Sequence, residues 1–151
     1  MSLLKIAHVP PATVEPGATV FEAVSVMARE GVGAVAVVEK AAKSQLQGIF
    51  TERDVMARIV AEARDPRTTP ISQVMSTDLV VTEINESFEA CQARMQQARV
   101  RHILVLDNGR LAGIISLRDL MAADLDDKDE AISLLNAYVH YIPADLSKVK
   151  T

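Results

Sequence analysis

The chain has 151 residues, 49% of them hydrophobic, and a formal net charge of -4. That composition supports a sizeable core in one domain or two tightly joined halves and excludes a disordered chain. Scattered Lys and Arg with 3% aromatic residues exclude nucleic acid as the main partner, a single Cys excludes an internal disulfide, and no cleavable leader or apolar run of spanning length occurs, so a soluble, cytoplasmic protein is expected.

Pro16-Gly17 marks a turn, and Val20, Ala23, Val24, Met27 and Ala28 then recur at helical spacing, with Gly31 as the stop. Ala34 to Val38 and Leu46 to Phe50 have the length of buried strands, joined across the polar stretch Lys40 to Gln45. Thr51 opens a second helix that is expected to run to about Ala63, and Arg64 to Pro70 reads as a polar, proline-bounded linker. The second half repeats the order: Leu79 to Thr82, Ser87 to Ala98, His102 to Leu106, Leu111 to Ile115 and Ser116 to Ala123. Asp107-Asn108-Gly109 predicts a tight hairpin between its last two strands. Beyond it an acidic stretch, Asp124 to Glu130, precedes Ala131, Leu134, Leu135, Tyr138 and Ile142 at helical spacing, so a separate tail helix is expected to start there. Two readings of that tail stand: packing on its own domain, or a dimer contact carried by Tyr138 and Tyr141.

The two halves are copies. An offset of 68 brings Val20 onto Phe88, Ala23 onto Cys91, Met27 onto Met95 and Val37 onto Val105; downstream the offset is 65, with the difference absorbed in the Lys40 to Gln45 loop. At the end of each copy stands one phrase, Gly48-Ile49-Phe50-Thr51-Glu52-Arg53-Asp54 and Gly113-Ile114-Ile115-Ser116-Leu117-Arg118-Asp119. Thr51 and Ser116 occupy an N-cap position, with Asp54 and Asp119 three residues on. That spacing makes a capping box, and it is also the geometry in which a helix N-terminus meets phosphate while a carboxylate accepts the hydroxyls of a ribose. Arg53 and Arg118 add charge-assisted donors or are solvated surface charges.

These phrases, with Val74-Met75-Ser76-Thr77 and Val100-Arg101-His102-Ile103-Leu104-Val105, resemble a tandem pair of CBS domains, the Bateman module, over about residues 7 to 123. The resemblance implies an α/β fold of two β-α-β-β-α repeats, residues 7–64 and 71–123, joined by a linker at 65–70 and packed by a pseudo-twofold axis, with residues 124–151 as an acidic segment and C-terminal helix. It implies a regulatory, non-enzymatic module of the energy-sensing kind. AMP, ADP, ATP or NAD(H) would be held between the repeats, two modules would form a homodimer, and an unidentified protein partner would read the state. Carried onto this chain, the first cleft would use Thr13, Val14, Gly33, Ala34, Thr51, Arg53 and Asp54. The second would use Val81, Thr82, His102, Ile103, Ser116 and Asp119, with Arg101 and His102 reaching the phosphate of the first and Arg118 clamping a phosphate or filling the second.

The chain departs from the family pattern at Lys5 to Pro10, which replaces a Val-Met-Thr/Ser lead, at Leu104 in a frequent Pro position, and at Arg118 in a frequent Gly position. Gly33 and Ala34 leave more room for a ring than Arg101 and His102, so the first cleft is the expected occupied one. The alternative is a dimerisation scaffold with empty clefts. His8, His102 and His140 form no ligand spacing, Cys91 reads as a small core residue, and Met56 and Met121 are expected to pack between the halves.

Overall fold

The computed structural model describes the backbone of residues 2–42 and 45–141, and the side chains of all of these except 42 and 138–141. The side chains of Tyr138, His140 and Tyr141, and the whole of Ile142, therefore lie outside what is described.

Each repeat builds a three-stranded sheet in which a short strand pairs in parallel with the middle strand and an antiparallel hairpin supplies the third. In the first, β1 (Thr13–Val14), β2 (Ala34–Glu39) and β3 (Gln45–Thr51) stand in that order; in the second, β4 (Val81–Glu83), β5 (His102–Asp107) and β6 (Arg110–Ser116) do. Both hairpins carry a register shift at matched places, Val37/Val38 and Val105/Leu106. The predicted tight turn is present, with Asn108 and Gly109 both at positive φ, 51° and 79°.

The helix α1 (Val20–Glu30) starts on a capping box, with Glu22 N donating to Thr19 Oγ1 at 3.2 Å and Thr19 N to Glu22 Oε2 at 3.1 Å. It stops at Gly31, whose φ of 67° is the left-handed C-cap that glycine enters freely. Its counterpart α3 (Phe88–Ala98) is capped by Ser87 and ends on Arg99, a non-glycine residue forced to the same left-handed conformation at φ 55°. That conformation costs an ordinary residue about 1–2 kcal/mol.

The helix after β3 is irregular. One α-turn, α2 (Glu52–Asp54), passes into a π-helical stretch at Val55–Val60, a rare form that concentrates at functional sites. The helix after β6, α4 (Leu117–Tyr141), is continuous for 25 residues, so no separate tail helix starts after the acidic stretch. Glycine and proline are absent from 117–141, and Lys128 Nζ bonds Asp124 Oδ2 at 2.9 Å, an i,i+4 support within the acidic run.

Three cores hold the molecule. The first contains Val20, Ala23 and Met27 of α1, Val35 and Val37 of β2, and Phe50 of β3. The second contains Cys91 and Met95 of α3, Ile103, Val105 and Ile115 of the sheet, and Leu120 of α4. The third joins the repeats: Ala36, Val38, Leu104 and Ile114, with Ile49 and Val81 against them. Alternate residues of β2 and β5 thus enter different cores, which is why both strands are nearly continuous apolar runs.

The segments that lead into each repeat cross over. Leu3, fully buried, sits in the second core with Leu4, Ile6 and Ala7, and His8 N donates to Ile114 O at 2.8 Å. Ile71 and Val74 sit in the first core, and Ser76 exchanges two backbone hydrogen bonds with Ile49, at 2.8 and 2.9 Å. Gly48 and Gly113 permit these approaches: a Cβ on Gly48 would lie 2.5 Å from Met75 Sδ and 3.0 Å from Ser76 O, and one on Gly113 2.9 Å from Ala7 Cβ.

Met56 and Met121 are not buried in a core between the halves; they are 63% and 54% exposed, as Val60 and Leu125 also largely are. The inter-repeat space they were expected to fill is taken by the third core. Phe21 is exposed with Arg67 stacked over its ring, while Phe88 packs on the second core.

Thr82 occupies the position of Val14 in the first repeat. It is 1% exposed, and its hydroxyl finds no partner among the described residues. Thr82→Val removes that unpaired group without changing shape and is expected to stabilise the fold by about 1 kcal/mol, raising Tm by about 2–4 °C in a thermal melt.

Candidate functional site

The repeats leave two clefts between them, each opening on one copy of the repeated phrase. The first is a cavity of about 630 Å³ lined by Thr51, Arg53 and Asp54, by Ser76 and Asp78 of the crossing segment, and by Arg99, Arg101 and His102 of the second repeat. This is the size range of pockets that enclose small molecules. The second, a wider depression of about 1310 Å³, is lined by Ser116, Arg118 and Asp119 with His8, Glu30, Gly33 and Ala34.

The first phrase forms a complete capping box. Thr51 N and Oγ1 donate to Asp54 Oδ2 at 3.0 and 3.2 Å, and Asp54 N donates to Thr51 Oγ1 at 3.3 Å. Arg58, inside the π-helical stretch, lies 3.6 Å from Asp54 Oδ1 and donates from Nη1 to the carbonyls of Val74 and Met75 at 2.8 and 3.1 Å. It therefore ties the phrase to the crossing segment that forms the opposite wall. The second phrase is simpler. Asp119 N donates to Ser116 Oγ at 3.0 Å, and among the described residues the Asp119 carboxylate makes no return bond.

Glu52, Arg101 and His102 line both clefts and form the partition between them. Gly33 keeps clearance there, since a Cβ would come within 3.1 Å of Glu52 Oε1 and 3.3 Å of His102 Cε1 and would press on both side chains. Burial pushes the His102 imidazole below its usual pKa; Arg101 acts in the same direction, and Glu52 and Asp119 oppose it. The unfolded chain then takes up this proton first as pH falls. The stability contributed by neutral His102 is complete above about pH 6.5 and is lost as pH drops through the lowered folded value. Melting curves between pH 5 and 8 are expected to show this loss, and His102→Gln is expected to flatten it.

The expected grouping of site residues is redistributed. Gly33 and Ala34 open on the cleft of Ser116 and Asp119, whereas Arg101 and His102 face Thr51 and Asp54. The pseudo-twofold packing sets each repeated phrase opposite the strand entry of the other repeat, so the roomier glycine wall belongs to the second cleft. Val14 is buried in the first core, with Thr13 beside it in β1. Val81 packs on the third core, Thr82 is buried, and Ile103 is in the second core. None of these five lines either cleft. Arg58, Ser76, Asp78 and Arg99 were not anticipated; the offset of 68 could have flagged Arg99, since it places an arginine on Gly31. Cys91 is fully buried with its thiol pKa raised by burial, and no group of three metal-ligating side chains occurs among the described residues. No helix of the described residues is long and apolar enough to cross a membrane.

Fold and clefts together define a paired-repeat module whose two cavities lie at the junction of its halves. The CBS domain family model matches residues 5–61 and 71–126, and the chain belongs to that family as a tandem pair. It is 38% identical over 125 residues to the CBS domain-containing protein YhcV of Bacillus subtilis, covering 83% of this chain and 86% of that one. Its fold is similar to a putative signal-transduction protein with CBS domains from Burkholderia ambifaria, with TM-score 0.74, 32% identity, and coverage of 84% of this chain and 96% of that one. The CBS domain protein PAE2072 from Pyrobaculum aerophilum, solved in complex with AMP, shares the fold at TM-score 0.72 and 22% identity, covering 79% of this chain and 89% of that one.

Proposed function

We propose that this CBS pair is a regulatory module that binds an adenosine nucleotide in the first cleft and signals occupancy by a change in the relative orientation of its repeats. The observation that carries this reading is the convergence of Thr51, Asp54 and unpaired arginines on one cleft between the repeats. Asp54 retains acceptor capacity for ribose hydroxyls beyond its cap bonds, and the Arg53 guanidinium supplies donors to a phosphate. The AMP complex of PAE2072 supports the same ligand class.

The module works by binding and not by turnover. A ligand held between Asp54 of one repeat and Arg101 of the other favours the arrangement in which both walls reach it, and a partner reads the shifted population. Two modules would associate through the exposed apolar residues Met56, Val60, Met121 and Leu125, which gives a homodimer with α4 at its edge. The scaffold reading shares that surface and differs in having no ligand.

A thermal-shift panel of AMP, ADP, ATP, NAD, NADH and S-adenosylmethionine separates the two. At a hundredfold excess over its Kd, a cleft ligand adds about 2.7 kcal/mol of stability, a shift of several degrees. That shift is expected for at least one nucleotide, to vanish in Asp54→Ala and to survive in Asp119→Ala. No shift with any nucleotide would leave the scaffold.

A further inference from the structure

We propose that the first cleft reads the length of the phosphate chain and takes an adenosine di- or triphosphate in preference to the monophosphate; this rests on the nucleotide reading of the same site.

The duplication supplies its own comparison. Arg99 and Arg101 stand where the first repeat has Gly31 and Gly33, and Arg58 stands where the second has Ala123. Pseudo-twofold packing sends these three arginines to one cavity, where Arg53 joins them. Four guanidinium groups there face the carboxylates of Glu52, Asp54 and Asp78. The other cleft has Arg101 and Arg118 against Glu30, Glu52 and Asp119, so the excess charge is positive in the first and negative in the second.

Arg58 is already committed to Asp54 and to the Val74 and Met75 carbonyls. Arg53, Arg99 and Arg101 are not: among the described residues their guanidinium groups make no hydrogen bond or ion pair. Each is a planar fork suited to two phosphate oxygens. A single phosphate beside the repeated phrase is answered by Arg53, which leaves the two arginines of the opposite wall unanswered. Each further phosphate adds oxygens and charge on that side. The backbone points the same way. Arg99 holds a left-handed φ of 55° in a slot the first repeat gives to glycine, and such strain persists where a side chain is needed for a task.

The test is calorimetric titration of the full chain with adenosine, AMP, ADP and ATP, free of divalent cations, repeated on the double variant Arg99→Gly/Arg101→Ala. The wild type is expected to bind ADP or ATP at least about tenfold tighter than AMP, with the difference shrinking at high salt. The variant is expected to lose far more affinity for ADP and ATP than for AMP, so that the discrimination disappears, and to melt no lower than the wild type, since glycine relieves position 99. AMP binding as tightly as ATP in the wild type, or discrimination that survives in the variant, would overturn the proposal while leaving the nucleotide site in place. Failure of all four compounds to bind would overturn both.

Discussion

Leu3→Ala is expected to destabilise the protein by about 2–5 kcal/mol, the cost of truncating a fully buried leucine. Leu3 is fully buried in the second core beside Cys91, Met95 and Leu120, more than eighty positions away in sequence. The measurement is the urea midpoint. One cooperative transition should move as a whole, because the third core, which takes Ala36 from one repeat and Leu104 from the other, ties the two sheets together. A change of less than about 0.5 kcal/mol, the size of a surface substitution, would mean that the N-terminal segment does not dock where described.

Gly48→Val is the second large effect. Its Cβ would fall within 3.0 Å of the Ser76 carbonyl, which is backbone and held by two hydrogen bonds to Ile49, so the clash cannot be relieved by moving the Met75 side chain alone. The expected cost is about 1–3 kcal/mol from overpacking, with added loss from the broken bridge. Gly17→Ala is the control: nothing lies within 4 Å of a Cβ there, and its effect should stay within about 0.5 kcal/mol. Because Ser76 lines the first cleft, Gly48→Val is also expected to weaken nucleotide binding, which a titration on the folded variant would detect.

The local structure was legible because its causes are local. Alternating and helical spacing marked the strand and helix order, the Asn-Gly pair marked the hairpin, and the Thr51 to Asp54 spacing marked a capping box that the structure contains in full. The rest depends on contacts between distant segments. Nothing near Leu3 or Ile71 in sequence says that each will cross to the other repeat, and Met56 looks the same whether its neighbour is the third core or solvent. The acidic stretch was read as a helix start because acids favour that position, yet without a glycine or proline to break it the helix simply continues. The cleft lining followed the same division. The chemistry of Thr51, Asp54, Ser116 and Asp119 was visible residue by residue, while the wall each would face was decided by the packing of the halves.

The exchanged lead segments also set an order of events during synthesis. The first repeat cannot complete its interior until Ile71 and Val74 have left the ribosome, by which time the next repeat has begun to emerge. Leu3 has no place to go until Leu120, well over a hundred residues later, has been added. A nascent chain arrested at the linker would therefore be a half with an open flank and a loose apolar end, a form for a chaperone to hold and not a domain awaiting its twin.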